Sequence, residues 1–356
     1  GKRIVHMKPE LKAPFPYFGG KSAVADVVWS AFGAVDNFID PFFGSGAVLL
    51  SRPGWIDGNR WTETVNDADG FVSNFWRALR ADPDGVALHA DNPVIENDLE
   101  ARHLWLVNRR KELTDKLNDP DFYDTKAAGW WVWGISCWIG SGWCSGSGPW
   151  VWDDNRHIVN RKLPHLGDAG LGVNRQRPHL SNAGQGVKRQ RPHLSNAGKG
   201  VNRKLPHLGD AGKGLRDYLG ALAARFNNVR VCCGDWSRIC GPSVTFKHGV
   251  TAVFLDPPYT DKANRASNLY AVDSKSVGHE VMDWCRDNGG NPLLRIALCG
   301  YDGEYDLPGW RTHAWKAAGG YENQSKGDDG PSGNCAKERV LFSPHCIDNE
   351  PDLFSL

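Results

Sequence analysis

The sequence predicts an α/β protein, a doubly wound sheet split by a long inserted region. Three observations predict it. Short β-branched and aromatic runs recur near residues 35–39, 62–66, 229–233, 251–255, 293–299 and 338–343, as buried strands do. Four of the runs end in an acid, at Asp40, Asp67, Asp235 and Asp256. Between the second and third runs the pattern gives way to a tryptophan-rich stretch and then a fixed repeat.

The first run continues as Asp40-Pro41-Phe42-Phe43-Gly44-Ser45-Gly46-Ala47-Val48-Leu49-Leu50. A strand, a turn with Gly44 and Gly46 and a helix-like run let a ligand approach the backbone closely at a helix start. Asp40 would repel a pyrophosphate, so a cationic or hydroxyl-bearing ligand fits better. The second run, Glu63-Thr64-Val65-Asn66-Asp67, places an acid about twenty residues beyond Gly46, where it can accept hydrogen bonds from ribose hydroxyls. The third, Val229 to Trp236, ends in Asp235 and Trp236, an acid and a ring suited to the edge and face of an adenine.

The fourth run, Thr251-Ala-Val-Phe-Leu255, stops in Asp256-Pro257-Pro258-Tyr259. Two prolines lack an N–H and fix φ, so the strand ends in a stiff corner. That corner offers a carboxylate, a free carbonyl and a ring. The two acceptors suit the hydrogens of an exocyclic amine, and the ring suits stacking on a flat base. Taken singly, each of the four strand ends reads as an ordinary turn; their order along one chain is what points to a site.

The repeat is fourteen residues long and begins at Val159, Val173, Val187 and Val201. Each copy carries Pro-His-Leu (His165, His179, His193, His207) and several glycines, which disfavour helix and favour short extended segments with tight turns. The four copies carry a formal +9 while the whole chain is +1, leaving −8 for the remainder. A basic stripe on an acidic body is the footprint of a polyanion-binding element. Arg161, Lys162, Arg175, Arg177, Lys188, Arg189, Arg191, Arg203 and Lys204 are its candidate phosphate contacts. The alternative is a solvated spacer expanded by duplication.

Composition excludes several classes. Hydrophobic residues make up 40% and there are 16 Trp, enough for a large core. No apolar run reaches the ~18 residues of a membrane span, and no signal peptide is visible. Nine cysteines without a regular framework suit a reducing cytoplasm. No Cys/His set has zinc spacing, so no metal is expected. Residues 1–6 precede Met7 and read as a cloning remnant.

Taken together these motifs resemble the Dam-like N6-adenine DNA methyltransferases. Phe15 to Lys21 is similar to that family's N-terminal motif, Asp40 to Gly46 to its cofactor loop, Asn66-Asp67 to its ribose-binding acid, and Asp256 to Tyr259 to its catalytic tetrad. Glu338 to Ser343 resembles the closing strand of phage-type members. The likeness runs over residues 14–80 and 216–346, and Tyr17 stands where many members carry Trp. The resemblance implies a Rossmann-like fold that uses S-adenosyl-L-methionine, with residues 7–92 and 216–356 as the catalytic domain. Residues 93–215, including the repeats at 159–214, become the target recognition region. It implies double-stranded DNA as partner, flipping of an adenine, and methylation at N6, with relaxed sequence specificity and a restriction-modification or phage setting as further expectations. Asp256, Pro257, Pro258 and Tyr259 become catalytic. Tyr17, Lys21, Asp40, Phe42, Gly44, Gly46, Asp67, Asp235 and Trp236 become cofactor-binding. Most of Trp105, Trp130, Trp131, Trp133, Trp138, Trp143, Trp150 and Trp152 are expected in a packed subdomain core, with one or two rings left to line the duplex. An N4-cytosine or RNA amino-methyltransferase, and a non-catalytic DNA-binding protein, are the alternatives.

Overall fold

The computed structural model describes residues 11–15, 17, 21–55, 61–138, 143–144, 150–153, 158–161, 213–258, 276–315 and 338–348. Its centre is a seven-stranded sheet in the order β5-β2-β1-β6-β7-β9-β8. The strands are β1 (Asn37–Asp40), β2 (Thr62–Asp67), β5 (Val229–Cys233), β6 (Thr251–Leu255), β7 (Leu294–Tyr301), β8 (Arg311–Ala314) and β9 (Glu338–Phe342). β5, β2, β1, β6 and β7 are parallel neighbours, and β9 runs antiparallel between β7 and β8. This is a mostly parallel, Rossmann-like sheet, as the sequence predicted. β8 was not foreseen. It is an edge strand with mainly exposed side chains, so it carries no apolar signal.

Successive strand residues face opposite sides, and the sheet is covered on both. Phe38, Val65, Phe254, Cys299 and Val340 join one core, while Ile39, Val253, Leu255, Leu298 and Leu341 join another. That double burial is why β6 reads as an unbroken apolar run. The larger core receives helices α1 (Ala25–Phe32), α3 (Gly70–Ala81), α4 (Pro83–Ala90), α5 (Glu96–Lys116), α6 (Thr125–Cys137) and α7 (Lys213–Arg225). The smaller receives α8 (Val277–Asn288) and the 3-10 turn Trp236–Ile239. α3, α4 and α6 each start on an aspartate whose carboxylate accepts a backbone N–H of the first turn, from Phe71, Gly85 and Ala127.

Helices α5 and α6 lie within the span expected to be the recognition region, yet they pack on α3 and α4 in the same core as the sheet. Trp131, Trp133 and Trp143 are buried there, whereas Trp105, Trp130 and Trp138 are half-buried. Strands β3 (Trp150–Asp153) and β4 (Ile158–Arg161) form a separate antiparallel pair, so the first repeat begins inside a strand. Apart from Lys213 and Gly214, which open α7, the remainder of the repeats lies outside the described residues. Among the described residues no helix is long and apolar enough to cross a membrane.

Candidate active site at the switch point of the sheet

The chain runs outward from β1 through β2 to β5, then returns to the other side of β1 as β6. Ligands of open α/β sheets bind beyond the carboxyl ends of the strands where the order reverses. Here that point is the β1–β6 boundary, and it brings together the ends of two motifs far apart in sequence. Asp40 closes β1 and Asp256 follows β6.

Lys21 joins them from a third motif. It sits in the 3-10 turn Lys21–Ala23 and is buried. Its Nζ lies 2.9 Å from Asp256 Oδ2 and 4.0 Å from Glu338 Oε2. It is also 5.5 Å from the ring centre of Trp315. Pro257 is buried and Pro258 half-buried behind Asp256. Tyr259 lies outside the described residues.

The Gly44–Gly46 turn has a physical need for both glycines. Gly44 has φ +49°, and a Cβ there would come within 2.5 Å of the Tyr17 ring. Gly46 has φ +72°, and a Cβ there would come within 2.7 Å of the Phe43 ring. Tyr17 thus lies against the loop, and Trp76 Nε1 donates to the Gly44 carbonyl at 2.9 Å from beneath. The following helix α2 (Ala47–Leu50) is a single turn, so its dipole adds little. The loop and the strand-end acids make the site.

Those acids are unusual. Asp67 Oδ2 accepts the Gly44 N–H at 2.9 Å and Oδ1 accepts the Asp69 N–H at 2.8 Å. Burial of the carboxylate, and then the nearby charge of Asp69, push its pKa up to about 7 against the pull of those two N–H groups. Asp40 is raised well above the carboxylate range by burial and by Asp256, although the Phe42 N–H donates to it at 3.2 Å. Among the described residues no Lys or Arg pairs with Asp40 or Asp67. Two such acids suit a ligand that brings a cation and hydroxyl donors.

Asp235 and Trp236 reach the same edge by different means than their side-by-side places in sequence suggest. Asp235 is exposed, and its Oδ1 accepts the Ser237 N–H at 3.0 Å to start a 3-10 turn. Trp236 is buried, so its ring is not an open face. Phe42 stacks over it with centroids 6.1 Å apart and planes at 26°, which makes Phe42 the half-buried ring nearer the crevice. Asn66, buried between the strand ends, donates to Pro41 O at 3.1 Å and Gly234 O at 2.9 Å. It fixes the β1, β2 and β5 ends relative to one another.

Of the basic candidates, Arg161 ends β4 without a described side chain, and Lys162, Arg175, Arg177, Lys188, Arg189, Arg191, Arg203 and Lys204 lie outside the described residues. Two site residues carried no assigned role in the sequence. Glu338 opens an apolar strand as a lone acid, a signal that becomes legible only once β9 is known to run against β7. Trp315, buried beside Lys21, follows an exposed edge strand. Among the described residues no group of three or more His, Cys, Asp or Glu is arranged to hold a metal ion.

The seven-stranded, mostly parallel sheet is consistent with a Rossmann-like methyltransferase fold. The family model described as D12 class N6 adenine-specific DNA methyltransferase matches residues 17–127. The matched span includes Tyr17, Lys21, the Gly44–Gly46 loop and Asp67, and supports an adenine-specific DNA methyltransferase as the enzyme class. The tetrad at 256–259 lies beyond it. No curated protein matches the chain.

Proposed function

We propose that the protein transfers a methyl group from S-adenosyl-L-methionine to the N6 amine of an adenine flipped out of double-stranded DNA. The Lys21–Asp256 ion pair at the switch point carries this reading, because it ties the N-terminal motif to the tetrad beside the cofactor-type loop. The strand-end acids suit the donor. Asp67 would accept its ribose hydroxyls, Asp40 would face its cationic amino-acid end, and Phe42 backed by Trp236 would flank its adenine. Tyr17 and the Gly44–Gly46 turn would line its path, and Asp235 stands at the same edge. Held there, the donor would supply an electrophilic methyl, the N6–C bond forming as the C–S bond breaks with its electron pair left on sulfur and the surplus N6 proton passing to solvent.

The protein's work is positioning and charge placement. Asp256 and the Pro257 carbonyl would accept the two N6 hydrogens, raising electron density on the nitrogen. The prolines hold that carbonyl in place, and Tyr259 would stack on the extruded base. The basic repeats would supply sequence-independent phosphate contacts, consistent with relaxed specificity. A cytoplasmic setting agrees with the cysteine usage.

The test is methyl transfer from labelled S-adenosyl-L-methionine to unmethylated duplex DNA, with mass spectrometry of the nucleosides. N6-methyladenine is expected. N4-methylcytosine would move the substrate to cytosine, and bound cofactor without any DNA product would sink the reading. Asp256→Ala should lower kcat by about 10³-fold or more while leaving DNA affinity unchanged.

A further inference from the structure

We propose that Arg110 of α5 is a positioning residue for the methyl donor, acting on the ribose acid Asp67 through Asp69. This rests on the methyltransferase reading above. Asp69 follows the end of β2 and serves the donor edge twice. Its N–H donates to Asp67 Oδ1 at 2.8 Å, and its carboxylate accepts the Phe71 N–H at 2.9 Å to start α3. The same carboxylate also brings a second negative charge close to Asp67. Arg110 answers that charge, with Nη2 3.7 Å from Asp69 Oδ1. The two side chains are 24% and 10% exposed, so solvent screens the pair only in part.

The guanidinium is held in place for this task. Its Nη1 donates to the Cys144 carbonyl. Cys144 has φ +55°, a left-handed conformation that residues other than glycine seldom adopt. α5 grips both polar groups of that backbone, since His103 Nε2 accepts the Cys144 N–H at 3.1 Å. His103 is buried and stacks on Trp143, with centroids 4.9 Å apart and planes at 27°. Trp143 Nε1 in turn donates to the Trp131 carbonyl at 3.0 Å. α5 thus fixes Cys144 beyond the end of α6, and the Cys144 carbonyl holds one arm of Arg110 while the other faces the turn after β2.

Charge carries the effect to the donor. Burial raises the pKa of Asp67 most and the Asp69 charge raises it next, while the N–H groups of Asp69 and Gly44 lower it. Ribose hydroxyls need the ionised carboxylate. By offsetting the Asp69 charge, Arg110 keeps Asp67 ionised to lower pH. Asp40 at the end of β1 and Cys233 at the end of β5 face the same edge. The Cys144 thiol lies beside Arg110 and Asp69, and burial pushes it well up, so it stays neutral. Arg77 of α3 faces Cys233, but its guanidinium donates to the carbonyls of Leu117, Asp119 and Phe122. Among the described residues, Arg110 is the cation set against Asp69.

The test is a double-mutant cycle read as the pH profile of S-adenosyl-L-methionine affinity. Arg110→Gln should move the Asp67 midpoint up by about half a pH unit or more, weakening binding about twofold or more at pH ~7 and leaving it unchanged at pH ~9. Asp69→Asn keeps a capping oxygen and the backbone N–H, and should move the midpoint down. In that background Arg110→Gln should move it no further. Arg110→Lys keeps the charge without the fork and should give a smaller shift of the same sign; it takes the place of Arg110→Gln in the cycle should that variant not fold. An equal loss of affinity at every pH would make Arg110 merely structural, and a shift that survives Asp69→Asn would show that it does not act through Asp69. Either result overturns the proposal. Absence of donor binding by the wild type would sink the proposed function instead. The Asp67 midpoint is then followed by carboxyl NMR in the ligand-free protein, where the same cycle decides whether Arg110 acts through Asp69.

Discussion

Two acids on strand β2, Glu63 and Asp67, stand four residues apart and meet opposite treatment. Glu63, near the start of the strand, is sealed by two arginines. Arg225 is bidentate to it at 2.6 and 2.9 Å, and Arg52 Nη1 lies 2.8 Å away. Arg52 in turn stacks on Trp61 at 3.8 Å, and Arg225 lies 5.2 Å from the Trp55 ring centre. Asp67, at the carboxyl end, has backbone N–H groups and no paired cation among the described residues, and its pKa rises to about 7. The first acid is neutralised by the protein; the second is left for something else to neutralise. On the proposed function, the contrast separates a buried charge that holds the fold from one that would serve a ligand. It also says what the triad fastens: Arg225 ends α7, the helix that re-enters the sheet after the repeats.

The largest effect should come from breaking the sealed end. Glu63→Gln leaves two buried guanidinium groups without their carboxylate, and should cost about 3–5 kcal/mol in denaturant unfolding. Donor affinity, measured where the variant remains folded, should hardly change. A near-neutral unfolding midpoint would mean the triad is no fastening. At the other end, Asp67→Asn removes a charge that has no paired cation among the described residues but also loses one of the two backbone N–H contacts, so stability should change little. It should weaken S-adenosyl-L-methionine binding by about 10–100-fold, the range of one lost charge-assisted hydrogen bond. Calorimetric titration reads this directly, and unchanged affinity would dissolve the comparison.

The four strand-end acids were legible because parallel strands buried on both faces leave unbroken apolar runs, and Asp40, Asp67, Asp235 and Asp256 punctuate them. The glycine turn was legible because only Gly accepts φ near +49° and +72° with rings against it. What stayed hidden depended on strand order. Glu63 and Arg225 are 162 residues apart, and nothing in a window around either names the other. The resemblance places Lys21 among the cofactor-binding residues, but its grip on Asp256 follows from β6 lying beside β1. Trp236 looked like a stacking face because an aromatic beside an acid is all a sequence displays; that Phe42 covers it is a matter of packing.

The raised pKa of Asp67 gives the comparison its finest test. The ordinary carboxylate value is 3.8 and the folded, ligand-free value is about 7. The folded protein therefore holds the proton more tightly than the unfolded chain. The stability this contributes is complete below pH ~4 and is lost as pH rises through ~7. Binding has the opposite sign. Hydroxyl donors favour the ionised carboxylate, so a bound donor should lower the pKa and release a proton. Affinity should be greatest above pH 7 and fall by up to about tenfold for each unit below it. Asp40, also raised, titrates beside it, so the decisive quantity is a difference. Asp67→Asn should remove about one proton of slope from the affinity profile between pH 6 and 7, with an equal reduction in protons released on binding. If the variant keeps the full slope, Asp40 rather than Asp67 is the acid that the ligand neutralises, and the distinction drawn along β2 belongs to β1 instead.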